Sequence, residues 1–352
     1  MKTKYVCLVV CLLLMTTMVS TGKPLGSEPI SPVVNDGSSK TTNVTVPVWH
    51  VGDWWSYEIE MLTARIVETN QSYNFSLRTQ NLKLTVINDA GTMYTVALTT
   101  PQITGDVNVS STLEGGVVTV VARLNDTKVN GTILFNKADL GIQQIQIYVS
   151  GQLHAKIMQL PGISLRRPIP IRGAANISLV VTYDVPYTIF SFPFDFGSVW
   201  GRPAVNMTLD GKVQSKWLNR INFINNIIQK RWNLVKFITG FIGVDSAALK
   251  NISDILVDIL PTIHIGTVLQ TYMGGNIFPI TGIFPLFLCT GVGNVSVKAG
   301  NFSAYNISVL GQGNIYYAPD VQNIIKISGH FTTETFPYLK TFEIQLTDTN
   351  YS

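Results

Sequence analysis

The stretch NVSVKAGNFSAYNISV, Asn294 to Val309, decides how the rest of the chain is read. Val295, Val297 and Ala299 alternate with Asn294, Ser296 and Lys298. Gly300 and Asn301 then turn the chain, and Tyr305, Ile307 and Val309 alternate with Asn306 and Ser308. A period of two belongs to a strand with one dry and one wet face, so the stretch predicts a β-hairpin. Its wet face carries three Asn-x-Ser triplets, at Asn294, Asn301 and Asn306, the acceptor pattern for N-linked sugar.

Working outward, the same alternation recurs in YEIEML, NLKLTVI, MYTVALT, GVVTVVARL, QQIQIYVS, ISLVVTY, NIYY and IIKISGHF, with Gly, Asn, Asp and Pro between the runs. The expected fold is mainly β: a curved antiparallel sheet, half-barrel or sandwich with a two-helix insertion. Two β halves are expected, at 47–190 and 191–352, the second carrying the insertion at about 213–260. There Trp217, Ile221, Ile224, Ile228, Trp232 and Val235 recur at helical spacing. A second helix is expected over Ser246–Leu260, capped by Asp245 and stopped by Pro261.

Acceptor triplets occur at Asn43, Asn70, Asn74, Asn108, Asn125, Asn130, Asn176, Asn206, Asn251, Asn294, Asn301, Asn306 and Asn350. Random order among these residue types would give only about four. In ten of the thirteen the middle residue is apolar. Alternation alone generates such triplets, and the same geometry puts the asparagine and the hydroxyl on the solvent side. Hydrophobic residues make up 46% of the chain and charged residues 13%, so solubility must come from uncharged polar groups or from what is attached to them.

MKTKYVCLVVCLLLMTTMVSTG places two lysines ahead of an apolar run and then small residues, the order of a secretory signal over residues 1–22. An uncleaved anchor is the competing reading, against which the apolar run is short. Both put the body of the chain outside the cytoplasm, secreted or at the cell surface. Residues 23–46, rich in Pro, Ser and Thr, read as a flexible leader. Cys7 and Cys11 fall in the signal, which leaves Cys289, in the apolar IFPLFLCTG, as a buried thiol.

Lys216, Arg220, Lys230 and Arg231, with Trp217 and Trp232, make the first expected helix cationic and amphipathic. Such a helix docks its apolar face on the sheet, or lies on an anionic membrane surface as a peripheral contact. A formal charge of +4 and an exported chain point away from nucleic acid. The four histidines show no metal spacing, and neither a GxSxG elbow nor a paired-carboxylate motif is present, so no catalytic, metal or cofactor residue is assigned.

VGDWWSYEIE, FSFPFDFGSVW, VSVKAGNFSAYNISV and IYYAPDVQNIIKISG appear in that order over residues 47–330. In this the chain resembles a class of uncharacterised secreted β-rich proteins of archaea and bacteria. Their pattern is a Gly-Asp-x-Trp-x-Tyr opening, a Phe-Pro-x-x-x-Gly-x-x-Trp centre, a Val-x-Val-x-Ala-Gly-x-Phe hairpin and a Tyr-Tyr-Ala-Pro strand. The resemblance implies a curved extracytoplasmic sheet with no assigned activity and no residues to carry over. The expected function is a secreted, glycosylated envelope protein with a structural, adhesive or binding role, whose partners are other envelope components. The alternative is a carrier of an apolar ligand enclosed by a concave sheet and the helical insertion.

Overall fold

The computed structural model describes residues 43–68, 71–113, 116–159, 168–201, 205–215, 262–264, 277–280, 286–309, 313–330 and 339–351. Six long strands come first: β1 (Trp54–Glu68), β2 (Gln71–Asn88), β3 (Met93–Leu113), β4 (Gly116–Asn136), β5 (Ile142–Gln159) and β6 (Ile169–Tyr187). A short β7 (Val199–Trp200) and β8 (Val205–Ser215) follow, then β9 (Thr262–His264) and β10 (Ile277–Ile280). The last five are β11 (Phe287–Val297), β12 (Gly300–Val309), β13 (Gly313–Ala318), β14 (Asn323–His330) and β15 (Leu339–Thr349).

All fifteen join one antiparallel sheet, in the order β10-β8-β6-β5-β4-β3-β2-β1-β15-β14-β13-β12-β11-β7, with β9 also beside β8. Each long strand lies next to its sequence neighbour, and β1 pairs with β15, so the beginning and end of the meander are stitched together. The free edges fall in mid-chain, at β9 and β10 on one side and β7 on the other. Among the described residues these edges do not pair, and the sheet is not closed into a barrel.

Curvature shows in what the inner face touches. One buried cluster unites Val86 of β2 and Tyr94 and Val96 of β3 with Ala304 of β12, Ala318 of β13 and Ile325 of β14, strands well separated in the pairing order. A second cluster lines β4, β5, β6 and β8 through Ile133, Ile145, Leu179, Val181, Tyr183, Met207 and Leu209. The third is aromatic: Phe190 and Phe194, on the segment between β6 and β7, pack with Phe287, Tyr305 and Tyr317. Phe194 touches the rings of Phe190, Phe192, Trp200, Tyr305 and Tyr317. Truncating so enclosed a ring costs about 3–5 kcal/mol by the usual scale.

The four resemblance motifs converge in this interior. Trp55, fully buried, donates its indole N–H to the Val321 carbonyl at 3.0 Å, and Tyr57 donates to the Ile324 carbonyl at 2.8 Å. Trp49 adds a third such bond, to the Gln322 carbonyl at 3.1 Å. Three aromatic side chains from the start of the fold therefore hold the turn between β13 and β14. Trp200 stacks on Phe287, Val295, Val297 and Phe302 pack on the first cluster, and Tyr317 sits in the aromatic one. These motif residues serve packing.

A line of irregular pairings crosses the long strands. Register shifts occur around Ile59 between β1 and β2, around Ile103 between β3 and β4, and between Asn125 and Lys128 of β4 against β5. Between β2 and β3 the ladder skips Asn81, whose φ is 62°, and Pro101. Bulges sharpen local twist and bend a strand, which lets strands of up to 21 residues belong to a strongly curved sheet. The buried hydroxyls of Thr79 and Thr100 bond each other here at 2.8 Å, and Thr79 also donates to the Gln102 carbonyl at 3.0 Å.

Four expectations need adjustment. The hairpin of β11 and β12 turns at Lys298–Ala299, with Val297 opposite Gly300, two residues earlier than Gly300–Asn301. Gly300 has φ 140°, so the glycine supplies the backbone freedom just after the corner. Val213–Ser215, placed at the start of the insertion, belong to β8, whose inward Val213 and Ser215 are buried. Two-residue alternation onto the core prevails there over helical spacing. The remainder of the insertion, 216–260, lies outside the described residues, with Lys216, Trp217, Arg220, Lys230, Arg231, Trp232 and Asn251; among the described residues there is no helix. Finally, the leader is docked before residue 46, because Val44 is buried and bridges Phe194 through bonds of 2.8 and 3.2 Å.

Candidate functional site: the outer face and its tryptophan cleft

Trp54 and Trp55 are adjacent on β1 and must project to opposite faces. Trp55 takes the interior, so Trp54 stands on the outer face. From there the pairing defines a row of directly opposed residues: Asp348, Ser56, Lys83, Thr99, Asn130, Tyr148, Ser178 and Lys212. Opposed residues in an antiparallel sheet share a face. The next row inward is Trp55, Leu84, Leu98, Gly131, Ile147, Leu179 and Gly211. A polar row over an apolar row is the sequence alternation carried across the strands.

The acceptor asparagines follow this division. Asn43, Asn108, Asn130, Asn176, Asn206, Asn294, Asn301 and Asn350 are exposed, while Asn306 is half-buried with its Oδ1 enclosed and without a hydrogen-bond partner. Val44, Met207 and Ile307, middle residues of three triplets, are buried. Asn74 and Asn125 lie in β2 and β4, and Asn70 and Asn251 fall outside the described residues.

Three of the exposed asparagines are already employed, Asn301 by accepting the Ser296 hydroxyl through its Oδ1. Asn206 donates from Nδ2 to Asp184 at 2.6 Å, and its amide N–H donates to the same carboxylate at 2.8 Å. The Asn206 backbone bond is the main reason the Asp184 carboxyl is held below the usual range. Asn350 accepts the Trp54 N–H at 2.7 Å and donates to the Gly52 carbonyl at 3.2 Å, fastening β1 to the end of β15. In the triplet at Asn130 the middle residue has to be glycine: a Cβ on Gly131 would sit 2.3 Å from the Gln146 carbonyl oxygen.

An open cleft of about 450 Å³ lies on the outer face where the bulge line crosses β1, β2, β3 and β15. Trp54 and Ser56 form one side, with Asn81 and Lys83 from β2. Thr99, Pro101, Thr347 and Asp348 complete it. The Lys83 ammonium lies 3.9 Å from the centre of the Trp54 ring, a cation–π contact. No salt bridge to Lys83 or Asp348 is found among the described residues. The skipped pairing at Asn81 and Pro101 opens the ladder and leaves this depression. Sequence reasoning had left these residues out; the adjacent tryptophans were the available signal, since one of the two had to face outward.

Elsewhere the chemistry is quiet. Among the described residues no three His, Cys, Asp or Glu side chains are grouped to hold a metal ion. Cys289 is free and fully buried, and burial pushes its thiol up to about 11, so it behaves as a small apolar side chain. His50 is exposed beside Asp53. No described helix is long and apolar enough to cross a membrane. No family model, curated protein or solved structure matches the chain.

Proposed function

We propose that this is a secreted, N-glycosylated cell-envelope protein with a structural, adhesive or binding role. The observation that carries the reading is the outward placement of the acceptors: of the nine acceptor asparagines whose side chains are described, eight are exposed. A sheet whose dry face fills its own interior and whose wet face is Thr, Ser, Gln and Asn is suited to display. Gln144, Gln146 and Thr182 illustrate that surface, tied to one another by bonds of 3.0 and 3.3 Å. Attached sugar would supply the hydration that few charges provide.

The carrier reading draws no support from the described interior, which is filled by three clusters containing Trp55, Tyr183, Tyr317, Phe194 and Phe287. The decisive experiment is site-resolved mass spectrometry of protein from its native host. Sugar is expected at several of Asn43, Asn108, Asn130, Asn176, Asn294 and Asn301, with Asn206, Asn306 and Asn350 the least occupied. A bare polypeptide at every site would overturn the proposal.

A further inference from the structure

The cleft on Trp54 joins an aromatic ring to one lysine ammonium and one aspartate carboxylate. An indole ring on the outer surface offers a flat platform for the C–H face of a sugar ring. Around it stand short hydrogen-bonding groups: the hydroxyl of Thr99, the amide of Asn81 and the carboxylate of Asp348. Many short polar groups beside one aromatic ring match a polyhydroxylated ring better than a lipid tail or a peptide side chain. The volume, about 450 Å³, has room for one or two pyranose rings.

Lys83 decides which sugars. Its ammonium rests 3.9 Å above the indole and has no carboxylate partner among the described residues. A ring that stacks on that side of Trp54 must displace the ammonium from its π contact. A neutral sugar gives the displaced charge nothing equivalent, whereas a uronic acid gives it a carboxylate. We propose that this cleft binds an acidic pyranose, a hexuronate residue of an envelope glycan, with Trp54 as platform and Lys83 as the charge-reading residue. The proposal rests on the outer face being presented to extracellular glycan, but it does not need the chain's own asparagines to be modified.

The test is an NMR titration of the indole Nε1–H signal of Trp54, assigned by its loss in Trp54→Phe, with D-galacturonate and D-galactose as probes. For glycan-free protein the expected Kd for galacturonate is on the order of 1 mM, as suits a ligand of so few atoms. Galactose is expected to bind at least about tenfold more weakly, and salt near 0.5 M should weaken galacturonate selectively. Lys83→Gln should abolish the preference, and Tyr148→Ala, on the same face outside the cleft, should leave it intact. Because Lys83→Gln changes neither the core nor the platform, its result stands even if Trp54 variants fold poorly.

No indole shift with either sugar would overturn the proposal, as would equal affinities for the two or an unchanged preference in Lys83→Gln. Native glycosylated protein identifies the source. A cleft already shifted and unresponsive to added sugar means that it holds the chain's own glycan; a responsive cleft means an external one. If mass spectrometry shows bare asparagines while galacturonate still binds, the display reading fails and the cleft stands.

Discussion

Strands β1 to β6 run from 15 to 21 residues, whereas β11 to β15 run from 6 to 11. Both sets of strands contribute to the buried core. In β11 to β15 the core takes Phe287, Cys289, Tyr305, Ile307, Ile315, Tyr317, Ile325 and Leu346. On the long strands the described apolar core residues reach as far as the bulge line: Tyr94 and Val96 on β3 with Ile103 on the line itself, Val129 and Ile133 on β4, Ile145 on β5, and Leu179, Val181 and Tyr183 on β6. Beyond it the described side chains include exposed Asp106, Arg123, Gln152, Lys156 and Arg172. Among the described side chains, the apolar core thus stops at the bulges while the strands run on.

The comparison can be broken most forcefully at its packed end. Phe194→Ala should lower the unfolding free energy by about 3–5 kcal/mol, read from denaturant midpoints, because five other rings lose a partner. Met158→Ala, beyond the bulge line where the side chain is exposed, should change it by no more than about 0.5 kcal/mol. Similar losses at both positions would erase the distinction.

The next effects concern the curved region itself. Gly131→Ala forces a Cβ against the Gln146 carbonyl, so β4 and β5 must separate, at a cost of about 1–3 kcal/mol. Thr100→Val removes a hydroxyl from the buried pair with Thr79 and should cost about 1–2 kcal/mol. The same change at exposed Thr99 should cost little, and equal effects at the two would show that the bulge hydroxyls are not structural.

A smaller effect belongs to the hairpin tip, where Lys298 bonds Glu58 and lies 3.5 Å from Glu60. The bond to Glu58, aided by attraction to both carboxylates, raises the lysine above its ordinary 10.5. Since the folded value is the higher one, the contribution is complete below pH 10.5 and fades as pH rises through the folded value. The midpoint difference between wild type and Lys298→Met should therefore be flat from neutral pH and shrink above that point. A difference that persists unchanged in strong alkali would contradict the pairing.

Much of the sheet was legible in the residues, because every run read by alternation, from YEIEML to IIKISGHF, lies in a strand, apart from Phe331, which is outside the described residues. GDVNVSSTL, the far end of β3, has only three apolar residues in nine, too few to mark a strand by themselves, and its membership is set by pairing with neighbours. The turn at Lys298–Ala299 was displaced in the reading because glycine marks where unusual φ is needed, which here is one residue past the corner. The cleft was invisible for another reason: Asn81 and Asp348 meet only because β1 pairs with both β2 and β15, a consequence of topology.

Thiol labelling of single-cysteine variants, with Cys7 and Cys11 replaced by Ala throughout and Cys289 replaced by Ala wherever another cysteine is introduced, tests the two-faced sheet most directly. Asn130→Cys and Ser178→Cys, on the outer row, should react with a water-soluble maleimide at the rate of a free thiol. Leu179→Cys and native Cys289, both turned inward, should react only at the rate of unfolding. If Cys289 or Leu179→Cys labels as fast as Asn130→Cys in native buffer, the division into a filled inner face and a wet outer face is wrong.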